Sequence, residues 1–254
     1  MVTCKNCGRT YEGNYCPDCG QKKNHGSLYL KVIVKNFIDK YWDLDAPFFR
    51  TVRELFVGPA PMIRRYIRGK RKRYSNPIRY FIVALGLYFV IKNLAGFDSF
   101  ESFTELIGIK SPSNMAEPAR KSLNTYFIEP INFFSGHLNL FMLLFVFLFS
   151  GTTRGLFFKS KYTFAEYLTL SFFVLSQYVI FSTGLLFLVK LDPRFYYLNF
   201  IFLFFYSIWV LVQFHKGSII YRLAMSFYNV LIAWIIYLIV GFFISQYLVI
   251  TWNL

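Results

Sequence analysis

The 254-residue chain is 56% hydrophobic and 22% aromatic, and only 16% of its residues are charged, against about a quarter in a soluble globular domain. Thirty-two Phe and nineteen Tyr are too many for one soluble core of this size, so lipid is the expected solvent and a soluble enzyme is not. The net charge of +15 is uneven: residues 1–80 hold 17 Lys/Arg against 6 Asp/Glu, whereas residues 81–254 hold 11 against 7. A basic segment beside apolar spans is explained by the positive-inside bias and by attraction to anionic lipid head groups. Nucleic acid is not expected, because charge alone is not a nucleic-acid-binding fold.

All four cysteines lie in the first 19 residues, as Cys4-Lys5-Asn6-Cys7-Gly8 and Cys16-Pro17-Asp18-Cys19-Gly20. Each CxxCG knuckle turns both sulfurs to one side, and two knuckles supply four thiolates in the tetrahedral arrangement that structural zinc prefers. The spacing predicts a zinc ribbon over 1–24 with Cys4, Cys7, Cys16 and Cys19 as ligands, a short hairpin between the knuckles, and Tyr11 and Tyr15 covering the metal. An iron site of rubredoxin type and a redox pair are the alternatives; the second usually needs a thioredoxin-like βαβ unit, which is not seen here. Four such thiols imply a reducing compartment and a cytoplasmic N-terminus. No cleavable signal peptide is expected, since the first apolar run follows 27 polar residues and is interleaved with Lys.

Residues 25–76 form an amphipathic and basic region. Over 28–42, Leu30, Ile33, Val34, Phe37, Ile38 and Tyr41 follow helical spacing opposite Lys31, Lys35, Asp39 and Lys40. Asp45-Ala46-Pro47 reads as the start of a second helix that Gly58-Pro59 stops, and Pro61 as the start of a third that Gly69 ends. Too polar to span, these helices could lay their apolar faces on the membrane interface or pack them against the transmembrane bundle, and a Lys-flanked, Trp- and Phe-bearing face favours the interface. A juxtamembrane cluster follows, comprising Arg64, Arg65, Arg68, Lys70, Arg71, Lys72, Arg73 and Arg79. It is the candidate contact for anionic lipid head groups or other phosphates, although setting topology alone would also explain it.

Five apolar spans are predicted in the transmembrane region 77–254: Ile78–Phe97, Ile131–Phe149, Tyr167–Val189, Phe195–Phe214 and Leu223–Ile250. Arg79 and Lys92 make the first the weakest, and the last is long enough to tilt or to begin on the surface. With the N-terminus inside, Arg154–Lys161 and His215–Arg222 are also inside and carry only basic charge, while the outer 98–130 loop has five acidic residues against three basic. No Asp or Glu sits at the centre of a span, which weighs against a proton-coupled transporter. Ser176, Gln177, Ser182, Thr183, Asn199, Gln213, Asn229 and Gln246 are expected to hydrogen-bond between helices. Glu129, His137 and Asn139 could form a polar external site. No nucleophile elbow, P-loop, HExxH or dinucleotide fingerprint is present.

Together, CKNCG, YCPDCGQ and the stretch GPAPMIRRYIRGKRKRYSNPIRYF over 58–81, ahead of an apolar C-terminal half, resemble a bacterial inner-membrane family known as the domain of unknown function numbered 3667. GKRKRYSNP carries most of the specificity, and beyond these motifs the chain matches in hydropathy only. The resemblance implies a bacterial cytoplasmic membrane and a cytoplasmic zinc module, and supplies no activity. The expected protein is therefore an all-α integral membrane protein, with about five transmembrane helices preceded by interfacial helices and a zinc ribbon. The expected function is non-enzymatic: the zinc module docks a cytoplasmic protein partner, or a second copy of the chain, at the membrane surface. The alternatives are a transporter or channel for a small or lipidic solute, and a membrane enzyme using the external polar site.

Overall fold

The computed structural model describes residues 2–4, 7–19, 46–94 and 116–252. The chain divides into two compact units, Met1–Asp43 and Leu44–Leu254. The helix expected over 28–42 and most of the 98–130 loop lie outside the described residues.

In the first unit, strands β1 (Val2–Thr3) and β2 (Thr10–Tyr11) pair antiparallel, with Val2 opposite Tyr11 and Thr3 opposite Thr10. The hairpin encloses the first cysteine knuckle rather than joining the two knuckles. The cause is local: Cys4 N–H donates to the Arg9 carbonyl at 2.8 Å and Gly8 N–H to the Cys4 carbonyl at 2.9 Å, closing the knuckle as a turn. Gly8 has φ +76°, a left-handed conformation in which a side chain would be strained.

The second unit is helical among its described residues. Helix α1 (Ala46–Val57) meets α2 (Pro59–Ile67) at Gly58. The sequence placed the start of α2 at Pro61, but Pro59 begins it, because the missing proline N–H costs nothing in the first turn of a helix. Then come α3 (Pro77–Leu94), α4 (Glu117–Leu123), a π-helical segment over Asn124–Ile128, α5 (Glu129–Gly136) and α6 (Leu138–Leu156). The last three helices are α7 (Phe164–Val189), α8 (Tyr197–Phe214) and α9 (Ile219–Trp252).

Four helices are long and apolar enough to cross a membrane: Pro77–Leu94, Phe164–Val189, Arg194–Phe214 and Ile219–Thr251. A shorter apolar stretch, Phe141–Leu156, accompanies them. The chain is thus an all-α membrane protein, with a correction at the second expected span. Residues 131–149 are not one helix: the chain breaks at His137, whose Nδ1 pairs with the Phe133 carbonyl at 2.8 Å while its ring stacks on Phe133. At about 1.5 Å per residue, the 34 residues of α9 extend some 50 Å, well beyond a bilayer core of about 30 Å.

Helix α7 is the hub of this unit, packing against α1, α2, α3, α6 and α8. Phe172 through Val179 are all buried, and only a central helix is covered on every side. Its start is fixed by a capping box: Glu166 N–H donates to Thr163 Oγ1 and Thr163 N–H to the Glu166 carboxylate. Helix α9 lies at the other extreme, with Ile220, Ile235, Phe243 and Tyr247 more than half exposed. In a membrane protein such side chains face lipid.

Of the two settings expected for the apolar faces of α1 and α2, the membrane interface and the bundle, the structure shows contact with the bundle. Leu55, Ala60, Met62 and Ile63 are fully buried and pack against α7 and α8. Two buried polar groups of the bundle reach their backbone. Tyr206 Oη donates to the Leu55 carbonyl at 2.9 Å and Gln177 Nε2 to the Val52 carbonyl at 3.4 Å. Gln177 Oε1 in turn accepts from Tyr80 Oη at 2.6 Å.

Candidate metal centre and basic face

The sulfurs of Cys4, Cys7, Cys16 and Cys19 all lie within 4.8 Å of one another. Cys4 Sγ is 3.5 Å from Cys19 Sγ, and Cys7 Sγ is 3.5 Å from Cys16 Sγ. With metal–sulfur bonds of about 2.3 Å, a tetrahedral site requires sulfurs about 3.8 Å apart, and the observed spacings bracket that value. The four cysteines are positioned to form a metal site. Each close pair draws one sulfur from each knuckle, so one ion would bind the knuckles to each other. Arg9 pairs with Asp18 across the same gap. Cys4 and Cys16 are buried with Tyr11, which shields that side of the cluster, whereas Tyr15 is 61% exposed and leaves the cover expected of it to Tyr11 alone.

The basic cluster of the second unit is organised around one carboxylate. Residues 46–94 contain eleven Lys/Arg and a single acidic residue, Glu54. From α1, Glu54 pairs with Arg65 of α2 at 3.2 Å and with Arg73 of the following turn at 3.4 Å, and it accepts from Tyr74 Oη at 2.8 Å. Burial first, then the bond to Glu54, pushes the Tyr74 pKa up. Thr51, fully buried, donates to the Pro47 carbonyl and accepts from Ser75 N–H at 3.0 Å. Helix α1, helix α2 and the basic turn are thereby tied into one piece.

The other predicted basic residues have separate settings. Arg64 turns inward and donates to the Gln213 and Phe214 carbonyls, and Arg222 donates to those of Val212 and His215. These are among the carbonyls that a helix end leaves without donors, at the negative pole of α8. Arg71 lies over the Tyr66 ring, and Arg79 is half-buried at the start of α3. Arg68, Lys70 and Lys72 are exposed.

His215 completes the end of α8. Its Nδ1 lies 3.0 Å from the Leu211 carbonyl, which can only accept, so Nδ1 carries the proton and Nε2 accepts from Tyr167 Oη at 3.0 Å. The ring stacks on Phe157 at 3.6 Å. Burial pushes its pKa down to about 4, assisted by Arg222 and opposed by the Leu211 bond. His215 is a neutral structural group near pH 7.

Of the residues proposed for an external site, Glu129 and His137 stand at the two ends of α5. His137 is bonded to its own helix, and Glu129 begins α5 without a described side-chain partner. Sequence reasoning did not single out Tyr206, Glu54 or Tyr74. A proline four residues beyond Leu55 was the available signal for the first, because Pro59 has no N–H to give that carbonyl.

The fold and the thiol cluster define a class: an all-α membrane protein with a small module whose four cysteines are positioned to form a metal site. Residues 45–89 match the model of a family described as Protein of unknown function (DUF3667), the family that the sequence motifs resemble. The matched stretch spans α1, α2, the basic turn and most of α3, the unit held together by Glu54 and Thr51. Compared with curated proteins and with solved structures, the chain matches none.

Proposed function

We propose that this is a non-enzymatic protein of the bacterial inner membrane, whose zinc-held N-terminal module docks a cytoplasmic partner, or a second copy of the chain, at the membrane surface. The observation that carries the reading is the closed set of four mutually close thiols. A metal held by four cysteines has no open position for substrate, so its role is to fold a recognition module. Zinc is favoured over iron because the ion need only shape the knuckles, and the thiols themselves favour a reducing cytoplasm.

The orientation is supported by charge. Arg68, Lys159, Lys161 and Lys216 gather at one end of the helical unit, and Arg64 and Arg222 cap α8 there. The opposite turn of α7 and α8 holds Lys190, Asp192 and Arg194 and is far less basic. The positive-inside rule then sets the first end in the cytoplasm. Within the predicted cluster of Arg64, Arg65, Arg68, Lys70, Arg71, Lys72, Arg73 and Arg79, the exposed Arg68, Lys70 and Lys72 are the most available for anionic head groups, while Arg64 turns inward and Arg65 and Arg73 pair with Glu54. Removing residues 1–24 tests the docking role: partner recovery is lost while membrane insertion is retained. Unchanged recovery would contradict it.

A further inference from the structure

Three segments far apart in sequence line one cavity of about 450 Å³ in the helical unit. Arg68 comes from the end of α2, Lys159 and Lys161 from the turn between α6 and α7, and Lys216 from the turn between α8 and α9. All four cations are exposed at its rim, and among the described residues none pairs with a carboxylate. The lining contains no acidic residue. Four like charges gathered without a counter-charge repel one another, and an arriving anion relieves that repulsion.

The cavity has a fixed floor. His215, held between Tyr167 and the Leu211 carbonyl, packs flat on Phe157, and both line the cavity. Tyr162 and Phe214, with rings 4.4 Å apart, form an aromatic wall. Ser160 accepts from Tyr162 N–H at 3.3 Å, which shapes the turn carrying the two lysines. The remaining wall is Tyr221, near the start of α9. Around it on α9, Ile219, Ile220 and Leu223 are 51%, 76% and 46% exposed. A charged cavity that meets a lipid-facing apolar surface suits an amphiphile with an anionic head.

We propose that this cavity is a specific site for a phosphate group, and that the group is the head of an anionic phospholipid. A phosphomonoester carries about two negative charges and several strong acceptor oxygens, so it can engage several cations together. The site deepens the head-group reading of the basic cluster by adding a defined cavity, and it is independent of docking by the zinc module.

The test uses the full-length chain in neutral detergent, measuring thermal stabilisation as phosphatidic acid, phosphatidylcholine or inorganic phosphate is added. Phosphatidic acid is expected to stabilise the wild-type chain saturably, and phosphatidylcholine is not. The Lys159→Ala/Lys216→Ala pair is expected to weaken apparent phosphatidic acid affinity at least tenfold. The Lys70→Ala/Lys72→Ala pair, which removes the same charge from outside the cavity, is expected to change it less than threefold. Competition by inorganic phosphate that is lost in the cavity variant would assign the site to soluble phosphate as well as to the lipid head. Equal weakening in the two pairs, or no saturable response of the wild type, would overturn the site. Equal weakening alone would leave the diffuse head-group reading standing, so the two failures are distinguishable. If the cavity pair unfolds on its own, Lys159→Gln/Lys216→Gln with unchanged melting in phosphatidylcholine serves the same comparison.

Discussion

Tyr206 Oη donates at 2.9 Å to the Leu55 carbonyl, the main-chain acceptor that Pro59 leaves without a helical donor. A second link of this kind joins α9 to the π-helical segment, where Gln246 Nε2 donates to the Tyr126 carbonyl at 3.1 Å. In both places a side chain from one helix reaches a main-chain carbonyl of another segment. The first joint docks the family-matched segment onto the bundle, away from water that could replace the lost bond.

Tyr206→Phe keeps the ring and removes the donor. The stranded buried carbonyl should cost about 1–3 kcal/mol. Unfolding in detergent reads this as a lowered midpoint; an unchanged midpoint would mean that the Leu55 carbonyl has another donor.

Glu54 is the one acidic residue among eleven basic ones in 46–94. Glu54→Ala removes the counter-charge of Arg65 and Arg73 and the acceptor of Tyr74 together, with an expected loss of about 1–3 kcal/mol. Glu54→Gln keeps an acceptor for Tyr74 and should fall between. Limited proteolysis of the 68–76 turn checks the local effect: Glu54→Ala should be cut faster than wild type.

His215 titrates near 4 in the folded chain instead of at its ordinary value of 6.5. Above 6.5 the imidazole is neutral in both folded and unfolded chains. As pH falls from 6.5 towards 4 the unfolded chain takes up the proton first, so stability declines over that window, by at most about 3 kcal/mol. Melting temperature measured from pH 7.5 to 4.5 should show this slope. His215→Gln should lose that part of it, and an identical profile would refute the assignment.

Gly241 is a point of close approach between α9 and α5. A Cβ there would collide with Cε2 and Cζ of the buried Phe134 ring. Gly241→Ala should destabilise by about 1–3 kcal/mol through overpacking. Phe134→Leu added to it should recover part of the loss, which a double-mutant cycle measures.

Much of this was legible in the chain itself. Cysteine spacing located the thiol cluster, because four ligands at fixed separations leave little choice of geometry. Long apolar runs located α3, α7, α8 and α9, and Gly58-Pro59 marked the junction of α1 and α2. The neighbour of an apolar face was not legible. Leu55, Met62 and Ile63 present the same pattern whether they meet lipid or protein, and here they meet α7 and α8. The break at His137 was hidden because hydropathy continues across it. The roles of Tyr206 and Gln177 were hidden because backbone acceptors carry no sequence signature.

The central claim is that a metal-held module captures a partner for a membrane protein. Its most direct test compares the full-length chain with Cys4→Ser/Cys7→Ser after gentle detergent extraction, measuring zinc content and co-purified proteins on the same samples. The account predicts one zinc per chain and a reproducible partner, both lost in the variant while the amount of membrane-inserted chain stays the same. A zinc-free variant that retains the same partner would contradict it.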